Sequence, residues 1–556
     1  MDLSHNLTLF ESYDIAARSV PDETAIFYFR NRISFAKLSS LIEKWASILQ
    51  NDFNVKKGDY VLVSLPNIPQ TIILFYAINK IGAISNMVHP YTPEEKMQEY
   101  YDECRCKVAF LFDKRVYKEL KRYKQFEGNI VICEAQTYIS SKYRLIYERS
   151  NNSIYKALKR NSKFTFFRNF KENEMSSISQ PLSDSEVSVL LHSASTTGEA
   201  KAIQLSAKSF NFTASRVSEI MCMKPDEFIG KAMISVLPSF HGFGLCMTMH
   251  APLVNRFGVA LIPKYSAANV AKMMKTCKCA ISICGVPPVF KSLISEPAFV
   301  NCGKYLRELR SCFSGGDSLP SNVKEHFDSI MIKNKSKCRL FEGYGLTEAL
   351  SVCCVNTHRH HKFGSIGYPI KGVTFKILDD QNNEVERGIV GEIAIKCENI
   401  MLGYYNDEEK TKEAFEDGWF KTGDFGYLDN DGFLFITGRK NDIIVLKNGK
   451  NVYPEELEQL ISDLPYVAEN MVFGMPKDDD LVVSVKIVYN EIYVKQTYGD
   501  ISEEELREII WKDVKDINSR LTTYKHIKNL VVTNEPMIKT TTAKVKRFEE
   551  MKKMNE

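Results

Sequence analysis

Apolar runs alternate with longer mixed stretches through the first two thirds of the chain. Residues 61–65 (VLVSL) have the pattern of a buried strand, residues 68–82 that of an amphipathic helix, and residues 106–112 (CKVAFLF) that of the next strand. A strand, a helix and a strand at this spacing predict a βαβ unit and a largely parallel sheet. The same rhythm returns at residues 234–237, 259–263 and 281–284. The pattern therefore predicts an α/β fold.

Two changes of pattern indicate how the chain is divided. Residues 147–185 are polar and rich in Ser and Asn, which is typical of a surface linker between subdomains. After Gly438 the chain changes to short strands and acidic helical stretches, such as residues 455–464 and 502–517. We expect a large N-terminal domain of layered αβ sheets at residues 1–438 and a small α+β domain at residues 439–556. A chain of 556 residues is in any case too long for one hydrophobic core.

The charge balance and the cysteine content narrow the function classes. The formal net charge is +4, which gives no case for nucleic-acid binding. The longest apolar run, residues 71–78, is far too short to span a membrane, and the N-terminus lacks the pattern of a secretory signal. Fourteen Cys residues occur without a CxxC pair, and a solvated loop is the interpretation of the stretch with His358, His360 and His361. So many unpaired thiols predict a reducing, cytoplasmic compartment.

A strand, a run of small hydroxyl residues and a lysine follow one another in residues 189–206 (VLLHSASTTGEAKAIQLS). Backbone N–H groups and hydroxyls in such a loop can converge on a phosphate, and a lysine adds a point charge. A plain turn is the alternative, because Ser, Thr and Gly favour turns. The spacing of a Walker A loop is absent. The candidate phosphate-binding residues are Ser193, Ser195, Thr196, Thr197, Gly198 and Lys201.

His241 comes directly after a predicted strand, in residues 236–244 (VLPSFHGFG). A histidine among small and aromatic residues is either a core residue with satisfied hydrogen bonds or a group beside a substrate. The residue pattern alone favours the core residue.

Two Gly-rich stretches, residues 312–320 (CFSGGDSLP) and 341–350 (FEGYGLTEAL), predict a nucleotide site. Paired glycines let an adenine ring approach the backbone, an aromatic ring offers a face for stacking, and a hydroxyl can contact a phosphate. Glu348 supplies a hard oxygen ligand suited to Mg²⁺, which would bridge a triphosphate. A Gly-rich turn before a helix capped by Thr347 is compatible with these roles. The candidate residues are Gly315, Gly316, Asp317, Gly343, Tyr344, Gly345 and Thr347.

Asp424 and Arg439 lie on either side of a Gly-rich segment that has the pattern of a hairpin, at the predicted domain boundary. The carboxylate can accept hydrogen bonds from a cis-diol, and the guanidinium supplies donors in a fixed fork. This pair is suited to binding the ribose of a nucleotide where two domains meet.

Taken in order, these motifs resemble those of the adenylate-forming (AMP-binding) enzymes, which include acyl-CoA synthetases, 4-coumarate-CoA ligases and luciferases. The resemblance covers residues 10–547, and residues 438–456 (GRKNDIIVLKNGKNVYPEE) are similar to the form found in bacterial medium- and long-chain fatty acyl-CoA synthetases. Residues 364–369 and 391–407 match further elements of the family, interpreted as mainly structural. The chain departs from the usual family residues at Ser195, Ala200, Ala202, Asn441 and Ala543.

The resemblance implies roles for residues that composition would not select. Lys544, in residues 535–549 (EPMIKTTTAKVKRFE), falls on the catalytic lysine of the family. His241 would lie at the mouth of the acyl pocket, near the substrate carboxylate. Asn441 occupies the hinge position of a mobile C-terminal domain. The implied catalytic residues are Lys544, His241, Glu348 and Lys201, and Lys447 and Gly449 belong to the loop that would face coenzyme A after the domain rotates.

The implied activity is that of an acid–thiol ligase with two half-reactions. The carboxylate of a substrate attacks ATP in the presence of Mg²⁺ to give acyl-AMP and pyrophosphate, and coenzyme A then forms the thioester and releases AMP. A medium- or long-chain fatty acid is favoured, with Gly242, Gly244 and Gly285 expected to leave space for its chain. The alternatives are an acyl-AMP ligase that loads an acyl carrier protein, an aryl-CoA ligase and a non-catalytic binder of nucleotide or acyl chains.

Basic and aromatic residues are interleaved in residues 154–171 (IYKALKRNSKFTFFRNFK), with Phe at positions 164, 166, 167 and 170. Such a segment can contact an anionic membrane. A packed linker is favoured over membrane contact by about two to one. We therefore expect peripheral membrane contact at most.

Overall fold

A computed structural model describes residues 6–171, 176–193, 201–447, 450–477, 480–539 and 545–555. In chain order its strands are β1 Thr24–Tyr28, β2 Asn31–Ser34, β3 Tyr60–Ser64, β4 Ile84–Met87, β5 Ala109–Phe112, β6 Ile130–Cys133, β7 Phe164–Phe166, β8 Val187–His192, β9 Ala202–Ser206, β10 Ala232–Ser235, β11 Gly258–Leu261, β12 Ala280–Gly285, β13 Ser311–Ser314, β14 Leu340–Gly345, β15 Val352–Val355, β16 Tyr368–Pro369, β17 Thr374–Leu378, β18 Gly391–Lys396, β19 Gly403–Tyr404, β20 Phe415–Glu416, β21 Trp419–Leu428, β22 Leu434–Arg439, β23 Ile444–Val445, β24 Asn451–Val452, β25 Val467–Lys477, β26 Asp480–Tyr489 and β27 Asn529–Thr533.

The α-helices are α1 Leu9–Ser19, α2 Phe35–Asn51, α3 Pro69–Lys80, α4 Glu94–Glu103, α5 Asp113–Lys118, α6 Leu120–Tyr123, α7 Ser141–Ser150, α8 Asn152–Lys159, α9 Ala207–Ser215, α10 Val217–Ile220, α11 Ala251–Val254, α12 Ala267–Cys277, α13 Pro287–Ser295, α14 Pro297–Val300, α15 Lys304–Glu308, α16 Ser321–Lys333, α17 Glu408–Glu413, α18 Pro454–Ser462, α19 Glu491–Tyr498, α20 Glu503–Ser519 and α21 Arg547–Asn555. No helix in the described ranges is both long and apolar enough to cross a bilayer.

Two large sheets dominate the N-terminal part of the chain. The first has the strand order β16-β15-β14-β13-β12-β10-β11-β1-β2, and its strands from β14 to β1 are parallel. The second has the order β19-β9-β8-β4-β3-β5-β6-β7, and its strands from β8 to β7 are parallel. Parallel strands end at one edge of a sheet, which is where ligands bind in open α/β sheets.

The C-terminal part has a hydrophobic core of its own. β17, β18 and β20–β22 form an antiparallel sheet that precedes it, and the buried residues from Ile444 to Leu530 then form a separate cluster around β25, β26 and β27. The predicted fold, a large N-terminal domain of α/β sheets and a smaller C-terminal domain, is confirmed. The boundary at residue 438 stays a prediction.

The local predictions are confirmed for most strands and wrong in two details. α3 is buried on all sides from Pro69 to Asn79 instead of amphipathic, because it lies between other elements and not at the surface. A strand, β4, also lies between this helix and β5 and pairs in parallel with β3. Its four residues form a run too short to separate from the surrounding apolar sequence.

The stretch predicted as a surface linker is largely packed structure. Residues 147–185 include α8 and β7, and β7 extends the second sheet beside β6. Phe164, Phe166 and Phe167 are buried, and the Phe167 ring stacks on Trp45 with 3.9 Å between ring centroids. These aromatic side chains therefore stabilise the core and are not available for membrane contact.

Two buried carboxyl groups follow the ends of β5 and β6. Tyr155 on α8 donates a hydrogen bond to Asp113 Oδ2 at 3.0 Å, and Arg168 lies 3.1 Å from Glu134 Oε1. Burial raises the pKa of Asp113 to about 6 and that of Glu134 to about 7. The helical segment 141–171 is thus attached to the sheet edge by groups that titrate near neutral pH.

We expect Glu134→Gln to reduce the loss of stability that accompanies a rise in pH. The pKa of Glu134 is raised from 4.5 to about 7 in the folded protein, so the folded state retains a proton that the unfolded chain has released. The free energy of unfolding therefore falls between these two pH values, by on the order of 1–3 kcal/mol from this group. Urea denaturation at pH 5 and pH 8 measures the effect.

Glu148→Gln is the matched control for this experiment. Glu148 also lies 3.1 Å from Arg168, but its side chain is about one third exposed, so its substitution should leave the pH dependence unchanged. A pH dependence that is the same in the wild type and both variants would contradict the role of Glu134.

Candidate active site

Asp424 and Arg439 face one another on an antiparallel hairpin, as paired residues of β21 and β22. Arg439 Nε lies 3.2 Å from Asp424 Oδ1, and the hydroxyl of Tyr344 donates to Asp424 Oδ2 at 2.6 Å. Asp424 is 6% exposed, so two donors hold a buried carboxylate. Burial and the charge of Asp424 raise the pKa of Tyr344, which keeps its hydroxyl protonated as the donor. A carboxylate has about four acceptor positions, so Asp424 retains capacity for a diol.

Lys201 lies beside the predicted metal ligand. The N–H of Ser193 donates to Lys201 O at 2.9 Å, and the N–H of Lys201 donates to Ser193 Oγ at 3.1 Å, which closes the candidate phosphate loop at its base. The Lys201 ammonium lies 4.5 Å from the centroid of the Tyr404 ring, and the Tyr404 hydroxyl donates to Glu348 Oε1 at 3.1 Å. One aromatic ring thus joins the candidate phosphate cation to the candidate Mg²⁺ ligand.

Glu348 has the chemistry of a magnesium ligand. Its carboxylate is a half-buried hard oxygen donor, and one oxygen is oriented by Tyr404. Its backbone is also fixed, because Met401 N donates to Glu348 O at 2.6 Å. Mg²⁺ is commonly held by one or two carboxylates together with substrate phosphates, so this donor set fits the ion.

The Gly-rich stretches lie side by side at the carboxyl ends of β13 and β14. These strands are parallel neighbours, with Ser314 beside Glu342. Gly316 has φ +82°, a conformation that favours glycine. A Cβ on Gly345 would lie 1.4 Å from Ser351 O, so only glycine fits there. The sheet therefore brings together the candidate nucleotide residues of both stretches, namely Gly315, Gly316, Asp317, Gly343, Tyr344, Gly345 and Thr347.

His241 lies where the carboxyl ends of β10 and β4 meet. The Phe240 ring lies between His241 and His89, with centroid distances of 4.6 Å and 4.5 Å. A π-helix, Phe243–His250, begins two residues later, and π-helical turns are frequent at functional sites. Burial, together with the charge of Arg115, lowers the pKa of His89 to about 4, so this imidazole is neutral at pH 7.

The expectation that Gly242, Gly244 and Gly285 leave space for an acyl chain is wrong. A Cβ on Gly242 would lie 2.1 Å from Leu350 O, and one on Gly244 would lie 2.0 Å from Pro238 O. At Gly285 the neighbours are the side chains of Val289 and Phe290, at 3.0–3.1 Å. Gly242 and Gly244 permit close backbone packing and Gly285 permits close side-chain packing, so the three glycines carry no information about chain length.

We expect Gly242→Ala to lower the free energy of unfolding by about 2 kcal/mol, because backbone atoms must move to admit the methyl group. Gly285→Ala is the matched comparison. Its neighbours are side-chain atoms that can adjust, so a smaller loss of about 1 kcal/mol is expected. Chemical denaturation of both variants tests the difference. A fully stable Gly242→Ala variant with an altered chain-length preference would instead restore the original interpretation.

Asn441 lies between two residues that are tied to opposite parts of the molecule. Lys440 Nζ lies 2.7 Å from Glu392 Oε2 on β18, and Asp442 Oδ2 lies 3.4 Å from Arg547 Nε on α21. Asn441 itself is exposed. These contacts place Asn441 between the two parts of the molecule, and its role as a hinge stays a prediction.

Arg547 connects the predicted lysine segment to α18. Its guanidinium lies 2.7 Å and 2.6 Å from the two carboxylate oxygens of Glu458 and donates to Val472 O at 2.9 Å. Val545, the residue after Lys544, forms an antiparallel bridge with Lys539. The sequence analysis quoted the motif that contains Arg547 but gave this residue no role.

A buried ion pair between β26 and α21 stabilises the same segment. Lys486 Nζ lies 2.7 Å from Glu550 Oε2, and Glu550 Oε1 accepts a hydrogen bond from Ile538 N at 2.6 Å. Glu550 is fully buried and Lys486 is 6% exposed. The domain is also docked on the larger one, since Lys291 Nζ donates to Val467 O at 3.2 Å.

Several predicted residues lie outside the described ranges. These are Ser195, Thr196, Thr197, Gly198, Gly449 and Lys544, together with Ala200 and Ala543. Lys447 is described, and it is exposed after β23. Tyr404, His89 and Glu392 were not predicted from the sequence as site residues. Tyr404 was overlooked because its stretch was interpreted as structural, although it lies beside β9 in the second sheet.

The fold and the site together define an adenylate-forming type of α/β enzyme. Residues 13–405 match the model of the AMP-binding enzyme family, and residues 441–555 match the AMP-binding enzyme C-terminal domain. The chain therefore belongs to the AMP-binding enzyme family. The prediction of this family, and of an enzyme, is confirmed.

Known relatives of this chain carry the names of CoA ligases. The chain is 28% identical to a long-chain-fatty-acid–CoA ligase of Bacillus subtilis, over 85% of this chain and 83% of the relative. It is 30% identical to the probable 4-coumarate–CoA ligase 1 of Dictyostelium discoideum, over 95% and 92%. The solved o-succinylbenzoate coenzyme A synthetase of Bacillus subtilis, in complex with ATP and magnesium, superposes with a TM-score of 0.77 at 22% identity, covering 98% and 100%.

Proposed function

We propose that this protein activates a fatty acid with ATP and transfers the acyl group to coenzyme A. The observation that carries the proposal is a pair of clusters that meet in sequence at the end of β14, where Tyr344 and Glu348 are four residues apart: one of Asp424, Arg439 and Tyr344, and one of Lys201, Tyr404 and Glu348. The first cluster offers acceptors and donors for a ribose, and the second offers a cation and a metal ligand for phosphates. Both are reached from the carboxyl ends of β13, β14 and β8.

In the first half-reaction the substrate carboxylate attacks the α-phosphorus of ATP and expels pyrophosphate. Asp424 and Arg439 hold the ribose, Lys201 and the loop from Ser193 bind the phosphates, and Glu348 would hold Mg²⁺. When bound, Mg²⁺ supplies positive charge against the pyrophosphate oxygens. Lys544 stabilises the negative charge that gathers on the reacting oxygens. The product is a mixed anhydride, whose AMP leaving group is far better than oxide.

In the second half-reaction a thiolate attacks the acyl carbon and expels AMP. The C-terminal domain rotates at Asn441, which removes Lys544 and brings the loop of Lys447 and Gly449 to the site. The contacts of Lys440 and Asp442 with opposite domains support this position for the hinge. This change in the orientation of the C-terminal domain lets one pocket serve two different transition states.

The names of the long-chain-fatty-acid relatives support a fatty acid as the substrate. The Phe240 ring lies 4.6 Å from the His241 ring, and His241 would lie beside the substrate carboxylate. The name of the 4-coumarate relative supports an aryl acid as the second candidate. Free coenzyme A is proposed as the acceptor instead of an acyl carrier protein, since the named relatives are CoA ligases.

The alternative of a non-catalytic binder is not supported, because the chain belongs to the AMP-binding enzyme family. The departures at Ser195, Ala200, Ala202, Asn441 and Ala543 prompt it. Retention of Lys201, Glu348, Asp424, Arg439 and Lys544 opposes it, because a chain that has lost catalysis is not constrained to keep its charged groups. The fourteen cysteines are free thiols, which supports the cytoplasm as the proposed compartment.

Exchange of labelled pyrophosphate into ATP tests the proposal. Fatty acids of several lengths, aryl acids and amino acids are compared with the purified protein, and fatty acids are expected to give the fastest exchange. Addition of coenzyme A or a carrier protein then identifies the acceptor. No acid-dependent exchange with any of these substrates would overturn the proposed function.

A further inference from the structure

Large apolar side chains are exposed on the side of the molecule where the parallel strands end. Leu145 and Ile146 on α7 are 60% and 62% exposed, and Phe29, directly after β1, is 38% exposed. Exposed apolar side chains that lie together commonly mark an interaction site.

The segments that carry these side chains are in contact. The Tyr28 hydroxyl donates to Ala135 O at 2.8 Å, which joins the end of β1 to the residues that follow β6. The Asn31 amide donates to Tyr138 O at 2.8 Å, a second bond between the same two segments. The turn after β1 and the chain leading into α7 therefore form one surface.

Arg30, next to Phe29 in sequence, lies over an aromatic ring of α7. Its guanidinium lies 5.2 Å from the centroid of the Tyr143 ring. Ile146 and Arg149 follow Tyr143 at successive intervals of three residues, which places them on neighbouring turns of one helix face. Leu145 lies four residues before Arg149. The cation of Arg149 is therefore a helix neighbour of both exposed apolar side chains, Leu145 and Ile146.

Arg30 also lines a shallow groove of about 490 Å³ along α12. The other charged residues that line it are Lys272, Lys275 and Lys278, and no carboxylate group is among the described residues of its lining. The groove is therefore basic, and Arg30 connects it to the Tyr143 ring of α7.

The acidic residue of α7 does not cancel this charge. Glu148 Oε1 lies 3.1 Å from Arg168 and 4.0 Å from Arg144. Glu148 is thus paired with Arg144 and shares Arg168 with Glu134, so its carboxylate faces these two guanidinium groups.

We propose that this surface binds an anionic lipid membrane. The basic–apolar face consists of Phe29, Arg30, Leu145, Ile146, Lys272, Lys275 and Lys278. Apolar side chains at a membrane interface insert among the acyl chains, while Lys and Arg approach the phosphates of anionic lipids. An acidic protein would complement the lysines but would leave Leu145 and Ile146 without an apolar partner, so the lipid surface fits better.

The position of this face indicates the substrate class of the proposed function. This part of the inference rests on that proposed function. In the first sheet β1 lies two strands from β10, a separation of roughly 10 Å. His241 follows β10 at the same edge of the sheet. A fatty acid that partitions into the bilayer would therefore approach the site from the side on which the protein meets the membrane. The favoured substrate class is a membrane-partitioned fatty acid.

Flotation of the full-length protein with vesicles tests the face without any substrate. The wild type should bind vesicles of phosphatidylcholine and phosphatidylglycerol and bind far less to vesicles of phosphatidylcholine alone. Each cation near an anionic surface strengthens binding about fivefold. The K272E/K275E/K278E variant should therefore lose about 100-fold or more in partitioning, and L145E/I146E should lose binding through its apolar contacts.

Matched substitutions on α16 are the controls. Ile332 is 59% exposed and Lys333 is exposed on that helix, so I332E and K333E place one substitution of each type elsewhere on the protein. Both should bind vesicles as the wild type does. Absence of wild-type binding, or equal binding by the face variants and the controls, overturns the proposal.

Pyrophosphate exchange with a short, water-soluble acid separates this result from a failure of the proposed function. The face variants should catalyse this exchange at the wild-type rate, since the altered residues lie outside the candidate active site. Vesicle binding without any acid-dependent exchange would support the membrane surface and overturn the catalytic proposal alone.

Discussion

Lys544→Ala is expected to abolish formation of acyl-adenylate from acid and ATP while leaving thioester formation from supplied acyl-adenylate largely intact. If the lysine supplies charge only to the first transition state, its removal should cost about 100-fold or more in that step, as loss of a preorganised electrostatic group commonly does. In the proposed mechanism the domain rotation removes the lysine from the site, so the second step should be unaffected. Single-turnover assays of each half-reaction measure the two rates.

Lys546→Ala is the matched control in the same segment. Its ammonium lies 2.7 Å from Glu549 Oε1 and its side chain is about one third exposed, so both half-reactions should persist. Equal loss of both half-reactions in Lys544→Ala would rule out the domain-switch assignment.

Asp424→Ala should raise the KM for ATP in pyrophosphate exchange by about 100-fold or more. Two hydrogen bonds from ribose hydroxyls to a carboxylate contribute about 3 kcal/mol or more, and the variant loses both. It also leaves the buried Tyr344 hydroxyl and the Arg439 guanidinium without their shared acceptor. Steady-state kinetics and a thermal denaturation scan distinguish loss of binding from loss of folding.

Tyr344→Phe separates the two contributions, because it removes one donor but keeps the carboxylate and the aromatic ring. We expect a smaller effect, about tenfold in KM, since Arg439 still orients Asp424. If Asp424→Ala matched Tyr344→Phe in every measurement, Asp424 would have no direct contact with the nucleotide.

The sequence predicted the sheet architecture well because buried strands leave a strong signal. Continuous apolar runs identified β3, β10, β11 and β12 within a few residues. The same signal failed at β4, which is only four residues long, and at α3, where complete burial replaces the expected polar face. The periodicity of apolar residues reflects which faces of an element are exposed. That exposure depends on packing neighbours that are distant in the chain, so the local pattern does not reveal them.

The candidate site was predictable in its residue types but not in its contacts. Asp424 and Arg439 could be paired from a hairpin pattern, since antiparallel strands bring such residues opposite one another. The placement of Tyr404 between Lys201 and Glu348 depends on β19 lying beside β9, a pairing across about 200 residues that no local pattern encodes. The role of Gly242 was misread for the same reason, because its close neighbour is Leu350 O.

The ion pairs on either side of Asn441 link the proposed nucleotide site to the segment that precedes α21. Arg439 contacts the proposed ribose ligand, and three residues later Asp442 contacts Arg547, close in sequence to Lys544. A nucleotide that favours one orientation of the domain must bind more tightly, by the same factor, to protein already held in that orientation. If the C-terminal domain rotates at Asn441 as proposed, occupancy of the ribose pocket and the orientation of the domain would be coupled, and conversion of ATP to AMP would bias which step comes next.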